Sequence, residues 1–260
     1  MKVATIGDNC MDVYAELDKA YPGGNPVNVA VYMKRLGIET AYVGVVGKDS
    51  YGEKMKNAIR DAGVNTYYIR EMEGSTARTK VRLKNGERIL GDYNEGVLKD
   101  FKLNNEEINF LLKQDLVHTG IWGKVEKDLY KIYKKGPLIS FDFADKLDSE
   151  IVKNALPYVD YAFFAYDRDD EYIRDYINNA QKMGPKVVVA TLGENGSIAW
   201  DGDTFTSYGI VPVEVVDTMG AGDSYIAGFM SGVLMNKSIE ECMALGAENA
   251  SRTIQYRGAW

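Results

Sequence analysis

The sequence predicts an α/β protein whose mainly parallel sheet is covered by helices on both faces. Short apolar runs, each long enough for one buried strand, alternate along the chain with longer segments of helical periodicity. Such alternation is typical of parallel sheets, because parallel strands need a crossover connection. One segment, residues 76–93, instead has strict two-residue alternation and predicts a second, smaller sheet.

The first elements form a strand–helix–strand unit. The run Lys2–Gly7 predicts a buried strand, and Ala41–Val46 predicts another. Between them, Asn25 is placed to cap a helix that has Pro26 at its first position and that Gly37 can end.

The same alternation continues through the next part of the chain. Helices are predicted over Ser50–Ala62 and over Asp169–Met183. The further predicted strands are Leu116–Thr119, Leu138–Asp142, Val159–Phe164 and Lys186–Thr191. No repeat, low-complexity tract or linker interrupts this pattern, so a single domain over residues 1–260 is the simplest organisation.

The segment Thr76–Tyr93 is the exception. Its first half alternates apolar or small residues with arginine and lysine, and Asn85-Gly86 then provides a type I′ turn. We therefore expect a hairpin with one apolar face, which Met11–Leu17 joins to form an accessory sheet. This sheet, at residues 11–22 and 75–95, is predicted as an insertion in the domain. The sequence leaves open whether it is a lid over an active site or an ordinary edge hairpin.

Composition and charge exclude several classes of protein. No stretch of the 260 residues approaches the ~20 apolar residues that span a membrane, so no membrane partner is expected. The net charge of -7 argues against nucleic acid, whose binding requires a basic surface. The chain starts without the features of a signal peptide, and Cys10 and Cys242 cannot build a disulfide framework. A cytoplasmic location is therefore predicted.

The single histidine, His118, limits the catalysts that the chain can build. A zinc site made of several histidines is impossible, and no G-x-S-x-G elbow accompanies a serine–histidine triad. We interpret His118 as a structural residue at the end of a strand.

The strongest functional signal is the segment Asp217-Thr-Met-Gly-Ala-Gly-Asp223. A mostly apolar run, Val213-Glu-Val-Val216, predicts a strand before it, and a helix is predicted after it. The small residues Gly220–Gly222 would present consecutive backbone N–H groups at the helix N-terminus, which suits a phosphate or a developing oxyanion. Asp223 would then accept the proton of an attacking hydroxyl. The alternative is an ordinary tight turn followed by a helix.

Two other phosphate-binding motifs, the dinucleotide fingerprint and the P-loop, do not match the sequence. Gly220-Ala221-Gly222 begins like a dinucleotide fingerprint, but Tyr225 replaces its last glycine and no βαβ unit can follow so late in the chain. The segment Gly44–Asp49 has the wrong spacing for a P-loop and no serine or threonine after Lys48.

Polar residues near the start of the chain predict the other half of a site. Asp8 follows the first strand, Asp12 lies four residues further on, and Asn25 and Asn28 open the first helix. Open parallel sheets bind ligands beyond the carboxyl ends of their strands, so these side chains are expected in one crevice. Carboxylates and amides together suit a polyhydroxylated ligand. Each residue alone also fits a turn or a helix cap.

A third segment, Thr191–Ser197, forms a glycine turn after a predicted strand. It leads into another short strand and would suit the phosphate or ribose of a nucleotide. On its own it is no more than a turn.

Together these segments resemble the ribokinase-like (PfkB) family of carbohydrate kinases. The G-D-x-x-x-D opening, the G-G-N-x-x-N loop, the T-L-G-x-x-G turn and the D-T-x-G-A-G-D box occur in the family's order over essentially the whole chain. The resemblance implies a three-layer α/β/α fold with a small β lid, and phosphoryl transfer from ATP, with Mg²⁺, to a sugar. It implies Asp223 as catalytic base, Gly220, Ala221 and Gly222 as anion hole, Asp8, Asp12, Gly24, Asn25 and Asn28 as acceptor ligands, and Thr191, Gly193, Gly196 and Asn249 as ATP contacts.

Further segments resemble, within this family, the bacterial kinases that phosphorylate fructoselysine at its 6-hydroxyl. These segments are Gly91–Val97, His118–Gly123, Phe141–Lys146 and Thr253–Trp260. The resemblance implies a fructosamine acceptor. We hypothesise that Asp92 and Glu95 meet its ammonium groups, and the alternative is that they are ordinary exposed carboxylates of a turn. The alternatives are another sugar acceptor, such as fructose or ribose, and a non-catalytic sugar- or nucleotide-binding regulator on the same fold.

The metal site departs from the family's pattern. Many relatives carry N-x-x-E to organise Mg²⁺ through water, but the segment Ala165–Glu171 has no asparagine at that spacing. Asp167, Asp170 and Glu171 are the candidate substitutes, of which we take Asp170, and the alternative is that this acidic run is only the first turn of a helix. The resemblance also implies a monovalent cation, such as K⁺, beside Asp217, and a lid that some relatives use for closure or for a homodimer.

Overall fold

A computed structural model of the chain describes residues 1–14, 17–84 and 87–260. Its strands are β1 (Lys2–Ile6), β2 (Cys10–Tyr14), β3 (Lys19–Gly23), β4 (Glu39–Gly47), β5 (Ile69–Met72), β6 (Arg78–Lys84), β7 (Glu87–Asn94), β8 (Leu116–Gly120), β9 (Leu138–Asp142), β10 (Tyr161–Ala165), β11 (Val187–Thr191), β12 (Ser197–Trp200) and β13 (Phe205–Tyr208). Its helices are α1 (Asn25–Arg35), α2 (Ser50–Asp61), α3 (Asn105–Leu111), α4 (Glu150–Ala155), α5 (Glu171–Gln181), α6 (Ala221–Leu234) and α7 (Ile239–Thr253).

The main sheet has nine strands in the order β13-β12-β11-β10-β9-β8-β1-β4-β5. From β11 to β5 every neighbouring pair is parallel, whereas β12 and β13 are antiparallel additions at one edge. The prediction of a mainly parallel sheet is confirmed. The carboxyl ends of its central strands point to one edge, which is where a ligand crevice is expected.

Helices cover both faces of this sheet. Along β10, Ala162 and Phe164 pack into a core that contains Ile173 of α5, whereas Phe163 packs on the other face with Phe229 of α6. Alternate residues of one strand therefore reach two separate cores. The result is the expected three-layer α/β/α fold. Within the part of the chain that the structure describes, no helix is long and apolar enough to cross a membrane.

The smaller sheet has the order β3-β2-β6-β7. The predicted hairpin is present as antiparallel β6 and β7, and β2 joins it in parallel. Ala77 and Val81 are buried while Arg78, Lys80 and Arg82 are exposed, as the alternation predicts. The predicted turn at Asn85-Gly86 lies outside the described residues. We call this element the small sheet.

Helix α1 begins differently from the prediction. Gly24, with φ 108°, occupies the N-cap position, so Asn25 is the first helical residue and does not cap the helix. A glycine suits this place because its backbone conformation lies in the left-handed region. The amide of Asn25 is thereby available for other contacts.

The predicted strand Val213–Val216 is wrong. These residues have irregular structure, and Val215 and Val216 are 57% and 50% exposed. Val216 N and Asp217 N both donate to the carbonyl of Ile254, beyond the end of α7, instead of pairing with a strand. An apolar run was therefore not sufficient to form a strand where no sheet edge receives it.

Candidate active site

Polar side chains from distant parts of the chain meet beyond the carboxyl ends of the central strands. Asp8 follows β1, Asn25 opens α1, Asp142 ends β9, and Asp223 lies in the first turn of α6. They come together because β1, β8 and β9 are neighbours and α1 packs on α6. The structure thus joins the start of the chain to the D-T-x-G-A-G-D box, as predicted.

Two asparagine side chains hold the carboxylate of Asp223. Asn25 Nδ2 donates to Asp223 Oδ1 at 2.7 Å, and Asn28 Nδ2 donates to Oδ2 at 2.6 Å. Residues three apart lie on one face of a helix, so α1 presents both amides to the same carboxylate. Each oxygen accepts a hydrogen bond, which fixes the orientation of the carboxylate.

Trp260 fixes the orientation of Asn28. Its indole Nε1 donates to Asn28 Oδ1 at 2.7 Å. An indole N–H can only donate, so the amide oxygen of Asn28 must face Trp260 and its NH₂ group must face Asp223.

His118 fixes the orientation of Asn25 in a similar way. His118 Nε2 lies 3.0 Å from Asn25 Oδ1, and His118 Nδ1 lies 2.8 Å from Ser140 Oγ. The second amide contact of Asn25, to Asp142 Oδ2 at 2.9 Å, requires its NH₂ group to point into the site. Its oxygen must then accept from a protonated Nε2. Burial lowers the pKa of His118 to about 3, so the ring is neutral with Nδ1 accepting from Ser140.

Three carboxyls in this crevice have raised pKa values. Burial, and then the charge of Asp223, raise the pKa of Asp8 to about 7, and the same leading causes raise that of Asp142 to about 7. Burial also raises the pKa of Asp223, whereas the amides of Asn28 and Asn25 lower it. The site therefore takes up protons near neutral pH as a coupled group.

The turn before Asp223 follows the expected pattern in part. Gly220 is the N-cap of α6 with φ 75°, and a Cβ there would lie 2.6 Å from the Tyr32 hydroxyl. A Cβ on Gly222 would meet no atom within 4 Å, so this residue faces open space. Ala221 N donates to Thr218 O at 3.1 Å. Of the backbone N–H groups predicted to form the anion hole, the N–H of Ala221 is already hydrogen-bonded within the turn.

A cavity of about 310 Å³ connects the predicted acceptor and nucleotide sides. Its lining includes Asn25, Trp122, Asp142, Thr191, Gly222 and Asp223. Thr191, at the end of β11, thus lines the same cavity as Asp223. The cavity leaves part of Asp142 and Asp223 accessible, although protein surrounds both carboxyls closely.

The other predicted nucleotide residues lie in two places. Gly193 and Gly196 form the turn after β11 with φ 58° and 85°, and a Cβ on Gly196 would lie 2.2 Å from the carbonyl of Tyr208. Asn249 on α7 donates from Nδ2 to the carbonyl of Ser224 at 2.7 Å, so its side chain ties α7 to α6.

The predicted acceptor residues Asp12 and Asp92 lie on the small sheet. Asp12 is on β2, and its Oδ2 lies 3.5 Å from the place of a Cβ on Gly23. Asp92 on β7 has an 83% exposed side chain, 2.9 Å from Lys80 Nζ, and this neighbour lowers its pKa.

The two carboxylates predicted to bind cations have other partners. Asp170 caps α5 by accepting from Ile173 N at 3.0 Å. Asp217 accepts from Met219 N at 3.1 Å and from Gly258 N at 2.9 Å. In the described residues, no group of three or more His, Cys, Asp or Glu side chains is placed to hold a metal ion.

Sequence reasoning missed three residues of this site. Asp142 could have been found, because it is a carboxylate at the carboxyl end of a predicted strand. His118 is completely buried inside β8 and contacts the site directly, so its interpretation as a strand-end structural residue missed its role. Trp260 ends the segment Thr253–Trp260 that resembles the fructoselysine kinases, but its contact with Asn28, 232 residues away, could not be predicted from the sequence.

Known proteins of one family are similar to this chain. The model of the pfkB family carbohydrate kinases matches residues 2–260. The chain is 45% identical to a fructoselysine 6-kinase of Escherichia coli (strain K12) over 99% of both chains. It is 34% identical to a fructosamine kinase of Bacillus subtilis (strain 168), over 100% of this chain and 93% of the relative.

Solved structures show the same fold. An Arabidopsis thaliana ribokinase complexed with ribose and ATP superposes with a TM-score of 0.89 at 22% identity, covering 99% of this chain and 93% of the ribokinase. With a whole-chain family match and a half-buried carboxylate at the start of α6, the chain belongs to the pfkB family and is an ATP-dependent carbohydrate kinase.

Proposed function

We propose that the chain transfers the γ-phosphoryl group of ATP to the 6-hydroxyl of a fructosamine such as fructoselysine. The observation that carries this proposal is the 45% identity with a fructoselysine 6-kinase over 99% of both chains. The site is compatible with it, because the half-buried carboxylate of Asp223 borders a cavity that Thr191, the first residue of the predicted nucleotide segment, also lines.

In the proposed reaction, Asp223 accepts the proton of the 6-hydroxyl as that oxygen attacks the γ-phosphorus. General-base assistance of this kind contributes about 10²–10⁴-fold in rate. Asn25 and Asn28 keep the carboxylate in one orientation, so little reorganisation is needed when the hydroxyl arrives. The N-terminus of α6, at Gly220, Ala221 and Gly222, would stabilise the negative charge of the transferring group.

The acceptor would bind between the central strands and the small sheet. Asp8 and Asp12 would accept hydrogen bonds from its hydroxyls, and Asn28 would donate its second amide hydrogen. Asn25, whose two amide hydrogens bond Asp142 and Asp223, would donate to the acceptor by exchanging its bond to Asp142. Gly24 would keep the turn open, since a Cβ there would lie 2.7 Å from Asn9 Cα and 3.2 Å from Asp8 Oδ2.

The nucleotide would bind on the opposite side of the cavity, through Thr191, Gly193, Gly196 and Asn249. Mg²⁺ would neutralise the phosphates, and the oxygen donors present fit it, because Mg²⁺ usually takes one or two carboxylates besides phosphate and water. Asp142 and Asp170 would hold it through water.

We also propose a monovalent cation such as K⁺ beside Asp217. Measuring the activity after K⁺ is replaced by a large organic cation would test this site.

A coupled ATP assay with a panel of acceptors tests the function. We expect fructoselysine to have a higher kcat/KM than fructose or ribose, and NMR of the product to show the phosphate on C6. Preference for a plain sugar would indicate a different kinase of the same family. ATP turnover with none of these acceptors would contradict the proposal.

The proposal extends to the whole chain. We propose that residues 1–260 act as one domain in the cytoplasm, with the small sheet (residues 11–22 and 75–95) as a lid.

We also propose a homodimer contact through the small sheet, because its Tyr21 and Tyr93 are 45% and 44% exposed. Sedimentation equilibrium of the purified chain would detect that dimer, and a monomer at micromolar concentration would contradict it.

A further inference from the structure

One ion pair connects the small sheet to the loop after β8. Lys124 Nζ lies 2.7 Å from Glu95 Oε1, and both side chains are about two-fifths exposed, at 41% and 38%. Glu95 follows the last strand of the small sheet, so the pair joins this sheet to the core. Lys124 has φ 60°, a left-handed conformation that is uncommon for a residue other than glycine. The loop therefore places this ammonium at some cost in backbone strain.

This pair lies at the acceptor side of the crevice. Two residues before Lys124, Trp122 lines the cavity that contains Asp223. The intervening Gly123 packs against Gly7, where a Cβ would lie 2.5 Å from Gly123 Cα. Gly7 directly precedes Asp8, so the Lys124 loop borders the turn that carries this predicted acceptor ligand.

Tyr93 supports the same location for Glu95. Partial burial of this residue, which is 44% exposed, followed by the charges of Cys10, Asp8 and Glu95, raises the pKa of Tyr93. Its phenol therefore interacts electrostatically with groups on β2, in the turn after β1 and at the end of the small sheet. Glu95 belongs to this set, unlike the largely exposed Asp92, which pairs with Lys80.

The positions of the reacting hydroxyl and of the amine on a fructosamine determine how the substrate is oriented in the crevice. The 6-hydroxyl and the amine-bearing C1 are at opposite ends of the sugar. With the 6-hydroxyl at Asp223, C1 must point away from the base and the amino-acid part must leave at the acceptor side. In fructoselysine the lysine side chain then separates the sugar from an α-ammonium and an α-carboxylate that lie side by side.

We infer that Glu95 and Lys124 form a subsite for this α-amino-acid head group, an inference that rests on the proposed function. Glu95 binds the α-ammonium and Lys124 binds the α-carboxylate. The substrate has opposite charges on adjacent groups, as the protein pair does, so binding exchanges one ion pair for two and leaves no charge unpaired. Asp92 is not part of this subsite.

The plain alternative is that the pair only fastens the small sheet to the core. Exposed ion pairs often contribute little to stability. If the pair only holds the small sheet to the core, its loss should lower kcat/KM equally for all acceptors. If the pair is a head-group subsite, its loss should lower kcat/KM only for acceptors that carry the head group. The two roles are therefore separable by substrate specificity.

The experiment compares three acceptors in the full-length enzyme with saturating ATP. They are fructoselysine, the conjugate of fructose with n-butylamine, which has the same secondary ammonium but no head group, and fructose. For Glu95→Gln and Lys124→Met, we expect the ratio of kcat/KM for fructoselysine to kcat/KM for the butylamine conjugate to fall about 10-fold. Glu71→Gln is the matched control, because the Glu71–Lys56 pair has similar exposure and joins β5 to α2.

The outcomes separate this inference from the proposed function. If the wild type prefers fructoselysine but neither variant changes the ratio, the subsite is wrong and the fructosamine kinase stands. Equal losses on all three acceptors would assign the pair to fastening and overturn the subsite. A loss in Asp92→Asn instead would move the subsite to that residue and overturn it too. If the wild type prefers fructose, both the function and the subsite are wrong.

Discussion

At the scale of single residues, the site depends on polar side chains that orient one another. Asp223 is fixed by Asn25 and Asn28, which are fixed in turn by His118 and Trp260. Because histidine and tryptophan offer N–H donors of known geometry, each amide has one favourable orientation. The carboxylate is therefore prepared for proton transfer before a substrate binds.

The first prediction concerns the base itself. Asp223→Asn keeps the size and the hydrogen-bonding capacity of the side chain but removes its ability to accept a proton. We expect kcat to fall about 10²–10⁴-fold, with the dissociation constants of ATP and acceptor within a few fold of the wild type. Steady-state kinetics and calorimetry measure the two effects. Undiminished turnover in Asp223→Asn would refute the assignment of Asp223 as the base.

The second prediction concerns His118 as a positioning residue. In His118→Leu, Asn25 loses the donor that orients its amide, and Asp223 loses a hydrogen bond that lowers its pKa. We expect a lower kcat with little change in KM for ATP, and an acid limb of the kcat–pH profile that moves to higher pH. His118→Gln retains an N–H donor and should restore the profile in part. A uniform loss of kcat with an unmoved acid limb would show that His118 only fills space.

At the scale of elements, the turn before α1 places both the acceptor ligands and the base. Gly24 caps the helix with φ 108°, so that Asn25 and Asn28 point into the site. The G-G-N-x-x-N loop was recognised in the sequence, but its capping residue was assigned one position too late. The reason is that asparagine is a good N-cap, while the close approach of Asn9 to Gly24 is a tertiary feature.

The third prediction tests this turn with two matched substitutions. Gly24→Ala and Gly37→Ala both place a side chain at a positive φ, 108° and 82°, but only the first meets another backbone, at 2.7 Å from Asn9 Cα. We expect Gly24→Ala to lower the free energy of unfolding by about 1–3 kcal/mol more than Gly37→Ala. Urea denaturation measures the difference. Equal effects would mean that the turn relaxes without cost.

At the scale of the whole molecule, the sequence predicted the layers and the site's segments but not the contacts that complete it. Strand–helix periodicity was sufficient for the parallel sheet, and the glycine-rich motifs located Asp8, Asn25 and Asp223. The contact of His118 with Asn25 spans 93 residues and follows only from the adjacency of β8 and β1. The apolar run Val213–Val216 failed as a strand because strand formation also depends on an available partner.

The last prediction concerns stability against pH. The folded state raises the pKa of Asp8 and of Asp142 from 3.8 to about 7, so it binds more protons than the unfolded chain between these values. The contribution of these groups is therefore favourable at low pH and is lost as pH rises toward 7, by up to about 1.4 kcal/mol per pH unit for each extra bound proton. Asp142→Asn removes one such proton. We therefore expect the free energy of unfolding of this variant to change less steeply with pH, between about pH 5 and about pH 7, than that of the wild type. Urea denaturation at constant ionic strength measures both slopes, with Asp61→Asn, at a 69% exposed carboxylate, as control. Parallel slopes for wild type and Asp142→Asn would mean that this carboxyl stays ionised in the folded protein, and the crevice would then need a bound cation to balance its charge.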